Sequence, residues 1–159
     1  MLLDDVIQFA VTAHTGQVDK SGAPYIGHPE RVAEKVRQAG GSQVLIAAAW
    51  LHDVLEDTGA TAEGLQAALD LDDGVIDIVV ALTKRPRESN QDYAARIAGA
   101  GAGAVLVKMC DLHDNLDPAR VAHLDRTTRT RLMSKYGRTL LSLADAMDAI
   151  WDKTGRSAI

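Results

Sequence analysis

"AAAWLHDVLEDT", residues 47–58, sets four ionisable side chains within six positions of an otherwise apolar run. His52, Asp53, Glu56 and Asp57 stand among alanine, tryptophan, leucine and valine. Burying charge without a partner is costly, so such groups are normally paired, hydrogen-bonded or metal-bound. On a helix each residue advances by about 100°. His52 and Glu56 lie four apart, and Asp53 lies three before Glu56 and four before Asp57, so all four fit one polar arc. Imidazole and carboxylate ligands suit a divalent transition metal such as Mn, Fe or Zn. The acids one turn further on are placed to handle a water as general base or acid. The plainer reading of the same residues is a core histidine beside a solvated acidic helix end.

The rest of the chain supports a soluble helical protein. Its 159 residues suit one domain, 47% of them hydrophobic and 25% charged. No apolar stretch is long enough to span a bilayer. The N-terminus has early acids and no basic stretch, so it does not read as a signal peptide. A net charge of −5 leaves no basic footprint for nucleic acid. The single cysteine, Cys110, excludes an internal disulfide and fits a reducing cytoplasm.

Periodicity predicts an all-α bundle. A first helix carries Leu3, Val6, Ile7, Ala10 and Val11 to about His14, and a Gly-containing loop follows. Pro29 opens a second helix that stops at Gly40-Gly41. Ser42 caps a third, from Val44 to about Leu55, and Thr61 a short fourth. "GVIDIVVALT" and "AVLVKM" have a strand-like, β-branched look, but no strand stands nearby to pair with them, and both read as helix. "KRPRESN" is a charged loop, "QDYAARIA" a short helix and "GAGAG" a loop. Pro118 begins a short turn of helix, and 126–150 form a long final one.

Other candidates lie far from the opening stretch. His28 precedes the second helix, and Asp111 sits in an apolar setting with Asn115 one turn later. His113 falls about 200° round the helix from Asp111 and points elsewhere. His14 reads as an ordinary helix-end histidine, and Cys110 as a buried thiol. "GAGAGAV" lacks the Lys-Ser/Thr ending of a phosphate loop. Lys84, Arg85 and Arg87 read as a solvated cluster. Arg131 and Lys135, four apart on the last helix, could reach phosphates or simply face solvent.

"AHTGQVDKSGAPYIGHP", "AAWLHDVLEDT", "ALTK" and "VKMCDLHDNLDPAR" occur in that order. The ordered set resembles the HD-domain hydrolases of the RelA/SpoT-homologue family, particularly the small single-domain alarmone hydrolases, over about residues 1 to 150. The resemblance implies one helical HD-type metal-dependent phosphohydrolase domain, residues 1–159. It also implies one bound Mn(II) and cleavage of the 3′-pyrophosphate of guanosine 3′,5′-bispyrophosphate (ppGpp) to leave GDP or GTP. Carried over by position, the metal ligands are His28, His52, Asp53 and Asp111. Glu56 and Asp57 match the catalytic acidic pair, Asn115 a substrate contact, and Lys20 and Ser21 the end of a substrate-binding loop. Arg131 is a further candidate for the phosphates.

Two departures qualify the substrate. Asp19 stands where alarmone hydrolases usually carry an Arg that stacks on guanine, a contact a carboxylate cannot make. After Asn115 come Leu116, Asp117 and Pro118, where those enzymes more often carry an Arg-Thr pair. The expectation is therefore a cytoplasmic phosphohydrolase of a nucleotide, with ppGpp first. The alternatives are a phosphatase of another nucleotide, such as the 2′-phosphate of NADPH, or a nucleotide-sensing module without turnover. The partner expected is this small molecule, with no nucleic acid and no membrane.

Overall fold

The computed structural model describes the backbone of residues 1–154 and the side chains through residue 149, so the end of the expected 1–159 domain lies outside the described residues. Ten helices are described: α1 Leu3–Ala13, α2 Gly27–Gln38, α3 Gln43–Leu51, α4 Val54–Asp57, α5 Ala62–Leu69, α6 Asp73–Leu82, α7 Asn90–Gly99, α8 Ala102–Asn115, α9 Pro118–Val121 and α10 Arg126–Thr154. No strand occurs among the described residues, and the all-α expectation holds. A single antiparallel bridge between Val18 and Pro24 pins the α1–α2 loop.

Short polar side chains start the helices. Thr61 Oγ1 accepts from Gly64 N at 3.1 Å, Asp72 Oδ1 from Gly74 N at 2.9 Å, and Ser89 Oγ from Asp92 N at 3.1 Å. Each such cap contributes about 1 kcal/mol. Gly40, at φ +79°, ends α2 in the left-handed region. A Cβ on Gly41 would meet Val36 Cγ1 at 2.5 Å and Val36 O at 2.9 Å, so only glycine fits the turn into α3.

α3 is the centre of the bundle. Ile46 through Leu51 are all buried, and the helix packs against α1, α2, α6 and α8. A helix apolar on all sides belongs inside a protein. Ala47, Ala48 and Ala49 let its neighbours approach closely. The β-branched α6 is helical because it packs on α3 and α8, with no strand to pair with. His52 and Asp53 therefore emerge where a fully buried helix reaches the edge of the core.

Two expectations need correcting. The third helix does not run on to Leu55. His52 Nδ1 bonds Ala49 O at 2.7 Å and occupies the carbonyl that Asp53 N–H would use in a continuous helix. The chain turns and restarts as α4, with Glu56 N and Asp57 N on Asp53 O at 3.2 and 2.9 Å. His52, Asp53, Glu56 and Asp57 thus do not share one helical arc. The "GAGAG" loop is also shorter than expected, because α7 and α8 take all but Ala100 and Gly101.

Candidate metal centre

Four elements bring the candidate ligands together. The start of α2 supplies His28, the α3–α4 junction supplies His52 and Asp53, and α8 supplies Asp111. His28 Nε2 lies 3.1 Å from Asp111 Oδ1 and 3.6 Å from Asp53 Oδ2. His52 Nε2 lies 3.0 Å from Asp53 Oδ2 and 3.8 Å from Asp111 Oδ1. The imidazole centroids are 5.2 Å apart, and both rings are buried, as is Asp111. Ligand atoms of His28, His52 and Asp53 all fall within 4.8 Å of one another.

The donor chemistry fits a divalent cation. Because Ala49 O can only accept, His52 Nδ1 carries the proton and Nε2 presents a lone pair. That Nε2 is buried and has no hydrogen-bond partner. His28 is arranged the same way, its Nδ1 2.8 Å from Asp114 Oδ2 and its Nε2 turned inward. A carboxylate or carbonyl behind each metal-binding imidazole is the usual arrangement at such centres. Burial opposes charge on His52 and His28, but the facing carboxylates outweigh it and raise both pKa values. Burial pushes the Asp53 and Asp111 carboxyls up. His52 beside Asp53, and Lys108 with the imidazoles around Asp111, hold both below the usual carboxylate range.

Several groups in this shell carried no signal in the sequence. Tyr25 donates its hydroxyl to Asp53 Oδ2. Burial, then Asp53 and Asp57, raise the Tyr25 pKa, which keeps that proton in place. Lys108 Nζ reaches Asp111 Oδ2 at 2.7 Å. Asp114 is wholly buried and gathers His28, Arg31, Lys35 and Arg120 around one carboxylate. Asp114 stands between His113 and Asn115 in the chain, so no apolar setting marks it as buried.

Two clefts open beside the centre. The larger, about 530 Å³, is lined by Lys20, Ser21, Tyr25, His28, Asn115 and Arg120 among others, with Val18, Val121 and Leu124 as apolar wall. The smaller, about 100 Å³, holds Asp53, Glu56, Asp111, Asn115 and three lysines, Lys84, Lys108 and Lys135. Lys20 and Ser21 thus face the larger cleft, and Asn115 borders both. Asn115 Nδ2 donates to Asp111 Oδ1, and its Oδ1 accepts from Tyr136 at 3.2 Å. Glu56 Oε2 accepts from Lys84 N at 3.0 Å, which fixes the carboxylate at the smaller cleft. Asp57 is exposed, lines neither cleft, and anchors the α1–α2 loop through its carbonyl, which accepts from Gln17 Nε2 at 2.9 Å. Arg131 is exposed on α10 and also lines neither cleft. Its charge is felt there: burial, then Lys135, Arg131 and Arg120, lower the Lys20 pKa.

Asp19 does not project toward the cleft as a free charge. Its Oδ1 accepts from Ser21 N at 2.8 Å, Ser21 Oγ at 2.6 Å and Ala23 N at 3.1 Å, and its Oδ2 accepts from Arg120 at 3.2 Å. Burial would raise the Asp19 pKa, but these bonds lower it to about 2. His113 is exposed, away from the centre. His14 is buried, with its Nδ1 2.8 Å from Gln17 Oε1. Cys110 is a buried free thiol.

Residues 7–135 match the family model described as "HD domain". The chain is 33% identical over 135 residues to a probable guanosine-3′,5′-bis(diphosphate) 3′-pyrophosphohydrolase of Synechocystis sp., covering 76% of this chain and 18% of that protein. It is 33% identical over 114 residues to the guanosine-3′,5′-bis(diphosphate) 3′-pyrophosphohydrolase of Aquifex aeolicus, covering 69% and 16%. The chain therefore spans less than a fifth of the length of these curated relatives. A solved structure described as a metazoan ortholog of SpoT that hydrolyzes ppGpp superposes with a TM-score of 0.73 at 23% identity, covering 96% of this chain and 95% of that one, which is a likeness of fold. With the His52-Asp53 pair at its centre and a match across most of its length, the chain belongs to the HD domain family.

Proposed function

We propose that the chain is a manganese-dependent phosphohydrolase, acting in the cytoplasm, that removes the 3′-pyrophosphate of ppGpp or pppGpp to leave GDP or GTP. The observation that carries this reading is the set His28, His52, Asp53 and Asp111, buried but for part of Asp53, lying between an apolar-walled cleft and a lysine-lined one. A larger cleft of about 530 Å³ suits a nucleoside, and the smaller one suits a phosphoryl group. The curated relatives named above carry this activity in their names.

His28, His52, Asp53 and Asp111 would hold one divalent cation, and imidazole with carboxylate suits Mn(II) among others. A cation held by these residues would supply Lewis-acid polarisation of a phosphoryl oxygen and a lowered pKa for water. Glu56, fixed by the Lys84 amide, takes up the proton of the attacking water at its carboxylate. Asp57 supports it by holding the α1–α2 loop through Gln17, which donates to its carbonyl. Lys84, Lys108 and Lys135 meet the charge of the pyrophosphate. Lys20, Ser21 and Asn115 orient the ribose and its phosphates from the larger cleft, and Arg131 adds positive charge at its rim. No helix among the described residues is long and apolar enough to cross a membrane. The test is a panel of nucleotides incubated with Mn(II), including ppGpp, NADPH and simple 5′-nucleotides. Preferential turnover of ppGpp is expected. Turnover of NADPH alone, or of nothing, would overturn the assignment.

A further inference from the structure

His14 is buried, 2% exposed, just past the end of α1. Its Nε2 lies inside the protein without a hydrogen-bond partner. An apolar side chain would fill the same space without leaving a polar atom unsatisfied, so packing alone does not account for a histidine here. What the imidazole adds is at its other nitrogen, since Nδ1 lies 2.8 Å from Gln17 Oε1. Gln17 Nε2 donates to Asp57 O at 2.9 Å. A carbonyl can only accept, so the Gln17 amide is oriented with Oε1 toward His14. His14 Nδ1 therefore carries the proton and donates it to Gln17.

Gln17 closes a ring of hydrogen bonds that passes through Asp53. Its carbonyl accepts from Tyr25 N at 2.9 Å. Tyr25 donates its hydroxyl to Asp53 Oδ2. Asp53 O accepts from Asp57 N at 2.9 Å, and Asp57 O accepts in turn from Gln17 Nε2. Two links of this circuit depend on long side chains, those of Gln17 and Tyr25, and His14 touches both. It donates to the first, and its ring lies 4.9 Å from that of the second at an angle of 44°.

We propose that His14 and Gln17 are positioning residues: they hold the Tyr25 hydroxyl on Asp53 and so fix the direction in which that carboxylate faces. Neither lines the two clefts, so both act through Tyr25 and not on substrate. The consequence for metal affinity rests on Asp53 being a ligand, whereas the placement of the Tyr25 hydroxyl does not. Outer hydrogen bonds of this kind set the orientation of the groups that bind a cation.

The first readout uses the metal-free chain with carbon-13 at Cζ of its three tyrosines, Tyr25, Tyr93 and Tyr136. The shift of that carbon follows the hydrogen bond of its hydroxyl, and the signal absent from Tyr25→Phe belongs to Tyr25. His14→Phe keeps a ring against Tyr25 and removes the donor. Gln17→Met breaks the circuit at a partly exposed position, and decides the matter if the buried variant does not fold. In both, the Tyr25 signal should move while those of Tyr93 and Tyr136 and the helical circular dichroism stay. An unmoved Tyr25 signal in Gln17→Met would overturn the proposal, as would movement of all three, the mark of a general loosening. The second readout is Mn(II) affinity by competition with a chelator. Gln17→Met should weaken it by about fivefold, the scale of one hydrogen bond. In a Tyr25→Phe background it should weaken it no further, because members of one network do not add. An equal loss in both backgrounds would show that Gln17 acts by another route and would overturn the proposal. A chain that binds no Mn(II) refutes the metal reading instead, and the Tyr25 signal still decides the positioning.

Discussion

Arg120 on α9 donates from Nη2 to Asp19 Oδ2 at 3.2 Å, joining positions 101 residues apart in the chain. Its Nη1 donates to the buried Asp114, which in turn holds His28 Nδ1 at 2.8 Å. Asp19, one of the two departures from the alarmone-hydrolase pattern, is therefore bonded to a residue that closely follows the other, Leu116-Asp117-Pro118. The chain of bonds ties the α1–α2 loop to His28 through Arg120 and Asp114. Asp19→Arg should not simply add a stacking cation. It removes three bonds inside the loop and sets a guanidinium against Arg120. A loss of about 1 kcal/mol is expected from the lost hydrogen bonds, read by chemical denaturation. A variant as stable as the wild type would contradict the pairing.

The same carboxylate sets an acid limit on the fold. Its folded pKa of about 2 lies below the ordinary 3.8. A depressed carboxyl contributes stability that is present above the unfolded value and lost as pH falls toward the folded one. Stability of the metal-free protein should therefore drop between about pH 4 and pH 2. Asp114 adds to the fall, since burial raises its pKa but His28, Arg31 and Lys35 outweigh that and hold it below the usual range. Asp19→Asn should flatten the slope in this window. Denaturation midpoints with an identical slope in wild type and Asp19→Asn would remove Asp19 from the account.

The candidate centre was legible where residue type conflicts with setting. His52 and Asp53 drew attention because charge in an apolar helix needs a partner, whereas His28 and Asp111 entered the ligand set through the family resemblance. Their convergence was not legible from spacing, since it depends on how α2, α3 and α8 pack. The break between α3 and α4 was missed because it comes from a side chain taking a backbone carbonyl, His52 on Ala49. Periodicity does not register such a bond. Asp114, Arg120 and Tyr25 were hidden because their partners lie far off in sequence: Arg31 is 83 residues from Asp114, and Tyr25 is 28 from Asp53.

Metal content should separate ligands from their supports. His52→Ala and Asp53→Ala should leave a helical protein without bound metal, read by elemental analysis after gel filtration. Full metal occupancy in both variants would disprove the proposed centre.

Tyr25→Phe and Asp114→Asn should keep the metal but weaken its binding by about 10–100-fold, the usual effect of losing an outer hydrogen bond to a ligand. A competition titration against a chelator measures this. Affinity equal to wild type in both would mean that neither residue orients its ligand.

Glu56→Gln preserves shape and the bond from Lys84 but cannot accept a proton. It should retain metal and lose turnover by roughly 100-fold or more. Unchanged turnover would assign the proton to another group, with Asp57→Asn the next variant to measure.

The central claim is tested most directly by the products formed from ppGpp and Mn(II), followed by phosphorus NMR. The account predicts GDP and inorganic pyrophosphate appearing in equal amounts, with no orthophosphate, and no reaction in Asp53→Ala. Orthophosphate as the product, or an intact substrate after prolonged incubation with metal-loaded protein, would contradict it.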